Sequence, residues 1–479
     1  MDRDVRKPVW IVGLLLLVFG LLVRAGLAYF SPSMYWPDEV YQTLEPAHRL
    51  VFGSGRVMWE YRDGLRSWTF PGFLGGLMWV GQFFGKGSTG YLALISLVLS
   101  AISLIPPLVT YLWARRQFES RWWPVVAMVF PLIWYEAIYF GPKTLYEAFT
   151  IHLVVGAIFL VRFSDDQWIR PLVGGAIIGV CIITRPHLAP VPIVLGLLVP
   201  LYAERPHAMF SALVVGVVGG AGLAGIVDVI AYGVPFHSLI VNLHTNVIEG
   251  KASNWGTSPW WQYFAWAWEL SRLGSLTMAA ALVAGAVRYP MLAWPPIVIL
   301  AAHCLIPHKE IRFLYPVVVM ATVIVGLDAV QLSRWLGDRL DFRRAKVFVI
   351  SLFLLLWSAA SIAGALNFNL GSTGERFDYV VWKHKQGKLL AYRHLSTMDI
   401  CSVARVGFWE MRTGGYSHLH HDVHIPPLHY DKEIRERRDD FDAFVVEDWD
   451  RESFAGFQRV RCYLDTCIYH REGGCGQEK

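Results

Sequence analysis

The chain has 479 residues, 54% hydrophobic and 17% charged, with a formal net charge of +5 and a mean hydropathy of +0.39. That balance excludes a soluble globular enzyme and describes a polytopic membrane protein. The modest positive charge suits Arg-bearing cytoplasmic loops better than a nucleic-acid surface, and no Gly-rich phosphate loop, zinc spacing or dinucleotide fingerprint stands out.

In chain order, Val9–Phe30 is the first apolar run of the ~20 residues a spanning helix needs. It is too long for a signal peptide and no small-residue cleavage site follows. It is therefore predicted to be a retained helix, its N-terminus held in the cytoplasm by Arg3, Arg6 and Lys7. Ten further candidates follow at 90–114, 122–141, 145–162, 171–184, 187–203, 208–232, 263–287, 290–306, 312–333 and 346–366, so about 11 spans are expected, within a range of about 10–13 because the short ones can tilt or kink. Basic groups recur in alternate connections: Arg115, Arg116 and Arg121; Arg162 and Arg170; Arg205; Arg288; then Arg334, Arg339, Arg343, Arg344 and Lys346. Placing these in the cytoplasm gives a consistent topology. Ser67–Phe84 is apolar and aromatic, but counting it as a span inverts every later loop. It is predicted to lie at the outer interface with the rest of 31–85, as an amphipathic or re-entrant element.

The expected organisation is therefore a multispan membrane domain, 1–366, with outer loop 31–85, and a soluble extracytoplasmic domain, 367–479, of about 110 residues. That second domain reads as a small α/β fold, with Ala443–Glu447 as a short buried strand ending at Asp448. Cys181 and Cys304 lie in apolar segments and read as packing residues, whereas Cys401, Cys462, Cys467 and Cys475 are either free or form two disulfides in one of three pairings. Paired, they would place the domain in an oxidising compartment. The histidines at 418, 420, 421, 424 and 429 lack a metal-ligand spacing, and no metal or other cofactor is expected.

With this topology the long polar loops gather on the outer face, which implies that the chemistry is there. His308-Lys309-Glu310-Ile311-Arg312-Phe313-Leu314-Tyr315-Pro316 packs four ionisable groups between apolar runs, which a bilayer tolerates only at its edge or around a polar cavity. Pro37-Asp38-Glu39 sets two adjacent carboxylates among aromatics just after the first span. On a helix neighbours point about 100° apart, so one acts while the other orients or pairs, and a carboxylate near low dielectric suits a general base. Glu45 and His48 follow at helical spacing from Asp38, and Arg66 lies in Gly64-Leu65-Arg66-Ser67. Arg185 ends a span on the outer side, against the charge bias, and so requires a carboxylate or a phosphate. Lys143 and Glu147 share that face, and Trp260 belongs to an aromatic loop at 253–261. One acidic loop, several cations and many aromatics fit a lipid-phosphate substrate: cations hold the phosphate and a carboxylate removes a proton from an acceptor.

The stretch 308–316 closely resembles the HKE-x-RF signature of glycosyltransferase family 22, the lipid-phosphate-mannose-dependent mannosyltransferases of GPI-anchor and dolichol-linked glycan assembly. Pro37-Asp38-Glu39 with Gln42, Glu45 and His48 is similar to that family's HPDE…Q-x-x-E-x-x-H loop, with Trp36 where His is common. Gly64–Ser67, Thr184-Arg185-Pro186 and Trp255-Gly256 to Pro259-Trp260-x-x-Tyr263 resemble further family motifs, so the resemblance covers about residues 9–330. It implies an all-α polytopic GT-C fold with its active site on the lumenal or outer side, a polyprenyl- or dolichyl-phosphate mannose donor, a glycan or glycolipid acceptor, and inversion at the sugar. The roles implied are Asp38 as catalytic base with Glu39 as its alternative; Arg185, His308, Lys309 and Arg312 on the donor phosphate; and Glu310, Glu45, His48, Arg66 and Trp260 in support. The membrane is that of the endoplasmic reticulum or the bacterial plasma membrane. Other readings are a GT-C transferase of another lipid-linked sugar, a lipid-linked-sugar transporter and a structural assembly subunit. The long one-sided loops and lack of a visible internal repeat favour the enzyme over the transporter.

Overall fold

The computed structural model describes residues 9–165, 167–203, 205–340, 344–369, 380–406, 415–423, 425–428, 431–447, 454 and 456–471. Arg3, Arg6, Lys7, Arg343, His424, His429, Asp448 and Cys475, all named above, lie outside these residues. The chain forms two compact units, one of Met1–Ala25, Asp63–Thr69 and Val98–Val380, the other of Gly26–Arg62, Phe70–Leu97 and Val381–Lys479.

The first unit is helical. Among the described residues of the chain, six helices are long and apolar enough to cross a membrane: Val9–Phe30, Thr89–Gln117, Pro206–Tyr232, Gln262–Arg288, Ile311–Gly337 and Ala345–Leu366. Trp122–Ile133, Ile169–Thr184, Pro186–Tyr202 and Pro290–Leu305 are apolar but shorter, and Tyr146–Arg162 carries an acid in its first turn. Each span expected from the sequence thus falls on helix. The segment set aside, 67–84, holds a helix of 13 residues, Thr69–Gly81, about 20 Å long and shorter than a ~30 Å hydrocarbon core.

Two expected spans are broken, and both breaks have local causes. The 90–114 run divides into Thr89–Ile102 and Ile105–Gln117, where Pro106 and Pro107 fill the first turn of the second helix with residues that have no N–H to donate. The 122–141 run stops at Ile133, because Trp134 is extended (φ −68°, ψ 128°), and resumes as Tyr135–Phe140. The Leu132 carbonyl left over at that break accounts for a charge inside the first span. Arg24, buried within the first span, donates to Leu132 O (2.8 Å), Ala137 O (3.3 Å) and Gly20 O (3.3 Å). The buried cation takes the Leu132 carbonyl freed at the break and adds a second bond to carbonyls already in helices.

Ile169–Thr184, which delivers Arg185, packs tightly against Pro206–Tyr232. A Cβ at Gly179 would run into the Val217 carbonyl, and one at Gly220 into the Ala176 carbonyl. Small residues four apart on each helix let the backbones meet, and dispersion then holds them together in lipid.

The second unit contains a five-stranded sheet: β1 (Val403–Val406), β2 (Pro427–Leu428), β3 (Ala443–Glu447), β4 (Phe457–Tyr463) and β5 (Thr466–Arg471), in the order β2-β1-β3-β5-β4. β1 runs parallel to β2 and β3, while β5 is antiparallel to β3 and β4. β3 is the strand expected at 443–447, and its apolar run pairs on both sides, as a central strand should. Cys462 and Cys467 face each other in the β4–β5 register and form a disulfide. Cys401 is also disulfide-bonded. Cys181 is free and buried, and Cys304 is free but only half-buried.

Candidate active site

In the first unit, three arginines and two glutamates converge from four separated stretches. Arg185 follows the helix Ile169–Thr184 in an extended conformation (φ −145°, ψ 93°), as a residue preceding Pro must. Arg312 sits in the turn Ile311–Leu314, just before the helix Tyr315–Gly337. Glu147 lies in the first turn of Tyr146–Arg162. It accepts a hydrogen bond from Arg185 Nη2 and stands 3.7 Å from Arg312 Nε. Glu310 takes Arg312 on both oxygens, at 2.8 Å from Nε and 3.0 Å from Nη2. Glu147, which carried no role in the sequence reading, is therefore the carboxylate that both arginines share. Its sequence signals are its place on the face of Arg185 and an acid in the first turn of a largely apolar helix.

The Phe313 ring organises the rest. Arg185 and Arg312 lie 5.3 and 5.5 Å from its centroid, within cation–π range, and the rings of His303 and His308 lie at 5.9 and 6.2 Å. Arg66 approaches from the loop 63–69, over Tyr146 at 5.9 Å. Gly64 starts that loop at φ +78°, where a side chain would strike His237. The loop is tied down by Tyr232, whose hydroxyl donates to Arg66 O (2.7 Å), and by Asn242, which donates to Leu65 O (3.3 Å). Three guanidiniums against two carboxylates leave an excess of positive charge. Among the described residues, the Nε atoms of Arg66 and Arg185 are buried without a hydrogen-bond partner. Such donors are costly unless an anion takes them.

The other residues of the 308–312 stretch divide in role. His308 bonds Gly256 O (3.0 Å) and Glu310 Oε1 (3.3 Å). Its hydrogen bond with Glu310 raises its pKa against the opposing effect of burial. Burial alone would raise Glu310, but the Arg312 charge and the bonds from His308 and Arg312 hold its carboxyl down at about 2. Lys309 points elsewhere: its buried ammonium donates to Cys304 O (3.2 Å) and Ile306 O at the C-terminal end of Pro290–Leu305. It caps that helix and complements its dipole, and among the described residues it makes no ion pair. Trp260 is exposed and edge-on to Phe264 at 6.4 Å, outside the cluster.

A pH dependence follows. Because the folded pKa of His308 lies above 6.5, its charge is complete below that value and is lost as pH rises through the raised one. The positive charge of the cluster, and with it the affinity for an anion, is expected to fall as pH rises through that raised value. His308→Gln should flatten the profile there, and a profile identical to wild type would exclude His308 from the charge that is felt.

In the second unit, Pro37 exposes the turn that carries Asp38, which is half-buried, whereas Glu39 is buried and accepts from the Trp36 backbone N–H at 3.4 Å. The residues that follow at helical spacing serve as ties. Gln42 donates to Glu60 Oε1 (2.8 Å), and Tyr61 donates its hydroxyl to Gln42 O. Glu45, at 0% exposure, accepts from Ser417 N and Oγ (2.8 Å each) and Arg56 N (3.1 Å). His48 bonds Ser54 O (2.6 Å) and His420 Nδ1 (3.0 Å), and burial lowers its pKa to about 4. Glu45 and His48 thus fasten the helix Glu45–Phe52 to residues 417–420, a long-range pairing that sequence spacing does not show. Glu45→Ala leaves buried donors unsatisfied at about 1–3 kcal/mol each. It is expected to accelerate hydrogen exchange at Ser417 and Arg56, and unchanged protection there would contradict the tie.

The profile of the Alg9-like mannosyltransferase family matches residues 15–384. The chain belongs to the Alg9-like mannosyltransferase family. Membership makes it a glycosyltransferase. It is 26% identical to GPI mannosyltransferase 3 of Yarrowia lipolytica over 92% of this chain and 83% of that one. It is 25% identical to the human GPI alpha-1,2-mannosyltransferase 3 over 72% of this chain, but spans only 62% of the human protein. Among solved structures, ArnT from Cupriavidus metallidurans bound to undecaprenyl phosphate superposes with a TM-score of 0.55 at 13% identity, covering 98% of this chain and 99% of that one. The fold is GT-C, as the family resemblance implied, in a multi-pass membrane protein.

Proposed function

We propose that the chain is an inverting α-mannosyltransferase that moves mannose from a polyprenyl- or dolichyl-phosphate donor to a mannose hydroxyl of a GPI-type glycolipid, on the outer or lumenal face of its membrane. The observation that carries this reading is the arginine cluster: Arg185 and Arg312 share Glu147, Glu310 holds Arg312, and among the described residues the buried Nε donors of Arg66 and Arg185 remain to be taken by an anion. A phosphate diester on a lipid has the charge and acceptor geometry to take them. Arg66, Arg185 and Arg312 hold that phosphate, and Glu147 and Glu310 hold Arg185 and Arg312. Asp38 is the general base, favoured over Glu39 because the Glu39 carboxylate is buried on its own backbone. Lys309 is moved from phosphate binding to shaping the turn before Glu310.

In the proposed reaction the acceptor oxygen bonds to the mannose anomeric carbon as the bond from that carbon to the phosphate oxygen breaks. The acceptor proton passes to Asp38, and the electron pair leaves with the polyprenyl phosphate, whose charge the arginines balance. A β-linked donor then gives an α-linked product. The disulfide Cys462–Cys467 supports an oxidising location for the 367–479 domain, in keeping with the lumen of the endoplasmic reticulum or the outside of a bacterial plasma membrane. The alpha-1,2 linkage in the name of the human relative suggests the bond made. Product from the purified protein and a GPI-type acceptor should be cleaved by an α-1,2-specific mannosidase, and resistance to it would reject the linkage.

A further inference from the structure

A cavity of about 320 Å³ in the first unit lies far from the arginine cluster, lined by Trp113, Arg116, Arg162, Phe163, Arg288 and Tyr289 among others. All of these belong to the helix ends that carry the recurring basic residues. The helix Pro186–Tyr202 starts beside Arg185 and ends at Tyr202, another lining residue, so about 25 Å of helix separates the cavity from the arginine cluster. Trp122, Trp168, Tyr202 and Trp335 are exposed at the same ends of their helices, the signature of the headgroup level.

The charges around the cavity are unequal. Arg116 is held by Asp165 in a two-pronged pair (2.6 and 2.7 Å), Arg170 shares the same carboxylate, and Arg288 is held by Asp328 at 2.8 Å. Arg162 is exposed, lies over the Phe163 ring at 5.1 Å and, among the described residues, makes no ion pair. Gln117 bonds the Tyr289 hydroxyl at 3.2 Å and braces the wall. Above the cavity, Leu197 and Leu201 on one helix and Val283 and Val287 on another are exposed one turn apart, which offers an acyl chain two apolar tracks.

We propose that this cavity is a binding site for the phosphate headgroup of an anionic phospholipid, read by Arg162, in the leaflet opposite the arginine cluster. A basic, aromatic-walled recess between spanning helices at headgroup depth is where such lipids bind. The site is independent of the transfer reaction. The lipid anchors the Arg-bearing helix ends and takes no part in chemistry.

The test is lipid retention by the full-length protein, by native mass spectrometry after exchange from nanodiscs of phosphatidylglycerol or phosphatidylcholine. Wild type should keep phosphatidylglycerol in preference, Arg162→Gln should lose about fivefold of that preference, in line with one basic group at a membrane surface, and Arg162→Lys should keep most of it. The wild-type preference should also fall as salt rises. An unchanged preference in Arg162→Gln, one insensitive to salt, or thermal stabilisation by inorganic phosphate equal to that by the lipid would each overturn the proposal.

Discussion

Asp38→Asn is expected to lower mannosyl transfer by about 10²–10⁴-fold, the usual contribution of a positioned general base, with expression, folding and donor binding unchanged. Asn fills the same volume but cannot take the acceptor proton. The turn that presents Asp38 is set by its neighbours: the backbone N–H groups of Glu39, Val40 and Tyr41 bond to Trp36 O and Pro37 O, and the Glu39 carboxylate accepts from Trp36 N. The substitution removes the proton acceptor while keeping the side-chain volume and these backbone bonds. Glu39→Gln keeps an acceptor for Trp36 N and should retain activity within about tenfold. The reverse ranking of the two variants, measured as kcat at saturating donor, would transfer the role of base to Glu39.

Glu147→Gln is expected to be the most destabilising single change in the first unit, at about 3–5 kcal/mol, the range for removing one partner of a buried ion pair. Glu147 is 2% exposed and answers Arg185 and Arg312 together, so neutralising it leaves two buried guanidiniums with Glu310 alone. Glu147→Asp should fall between, its charge kept but its reach shortened. The measurement is the thermal midpoint of the purified protein, with and without polyprenyl phosphate. The anion should recover part of the loss, because it supplies the missing negative charge. A loss below about 1 kcal/mol would mean that the cluster is solvated and that Glu147 is no linchpin.

The membrane part was legible because spanning helices announce themselves by apolar length, and each apolar run expected to span falls on helix. The breaks at Ser103–Leu104 and Trp134 were not, since a Pro near a helix break reads like a Pro in a helix. Arg24 could not be placed by sequence, because its partners are backbone carbonyls more than a hundred residues away. The site was half legible. Charge clustered in apolar sequence singled out Arg185, His308, Glu310 and Arg312, and the structure brings them together. Lys309 departs from its neighbours for a local reason: adjacent residues in extended backbone point opposite ways, so His308 bonds Glu310 while the Lys309 ammonium turns to the helix end. Glu45 and His48 are assigned site support by their helical spacing and by the resemblance to the family's loop motif. Their partners, Ser417 and His420, lie 372 residues away, beyond any periodicity.

The most direct test of the account is transfer by purified protein in vesicles from β-linked polyprenyl-phosphate mannose, with the anomeric configuration of the product read by NMR and GDP-mannose as the competing donor. The account predicts an α-mannoside formed from the lipid donor alone. A β-mannoside, or equal transfer from GDP-mannose, would contradict it.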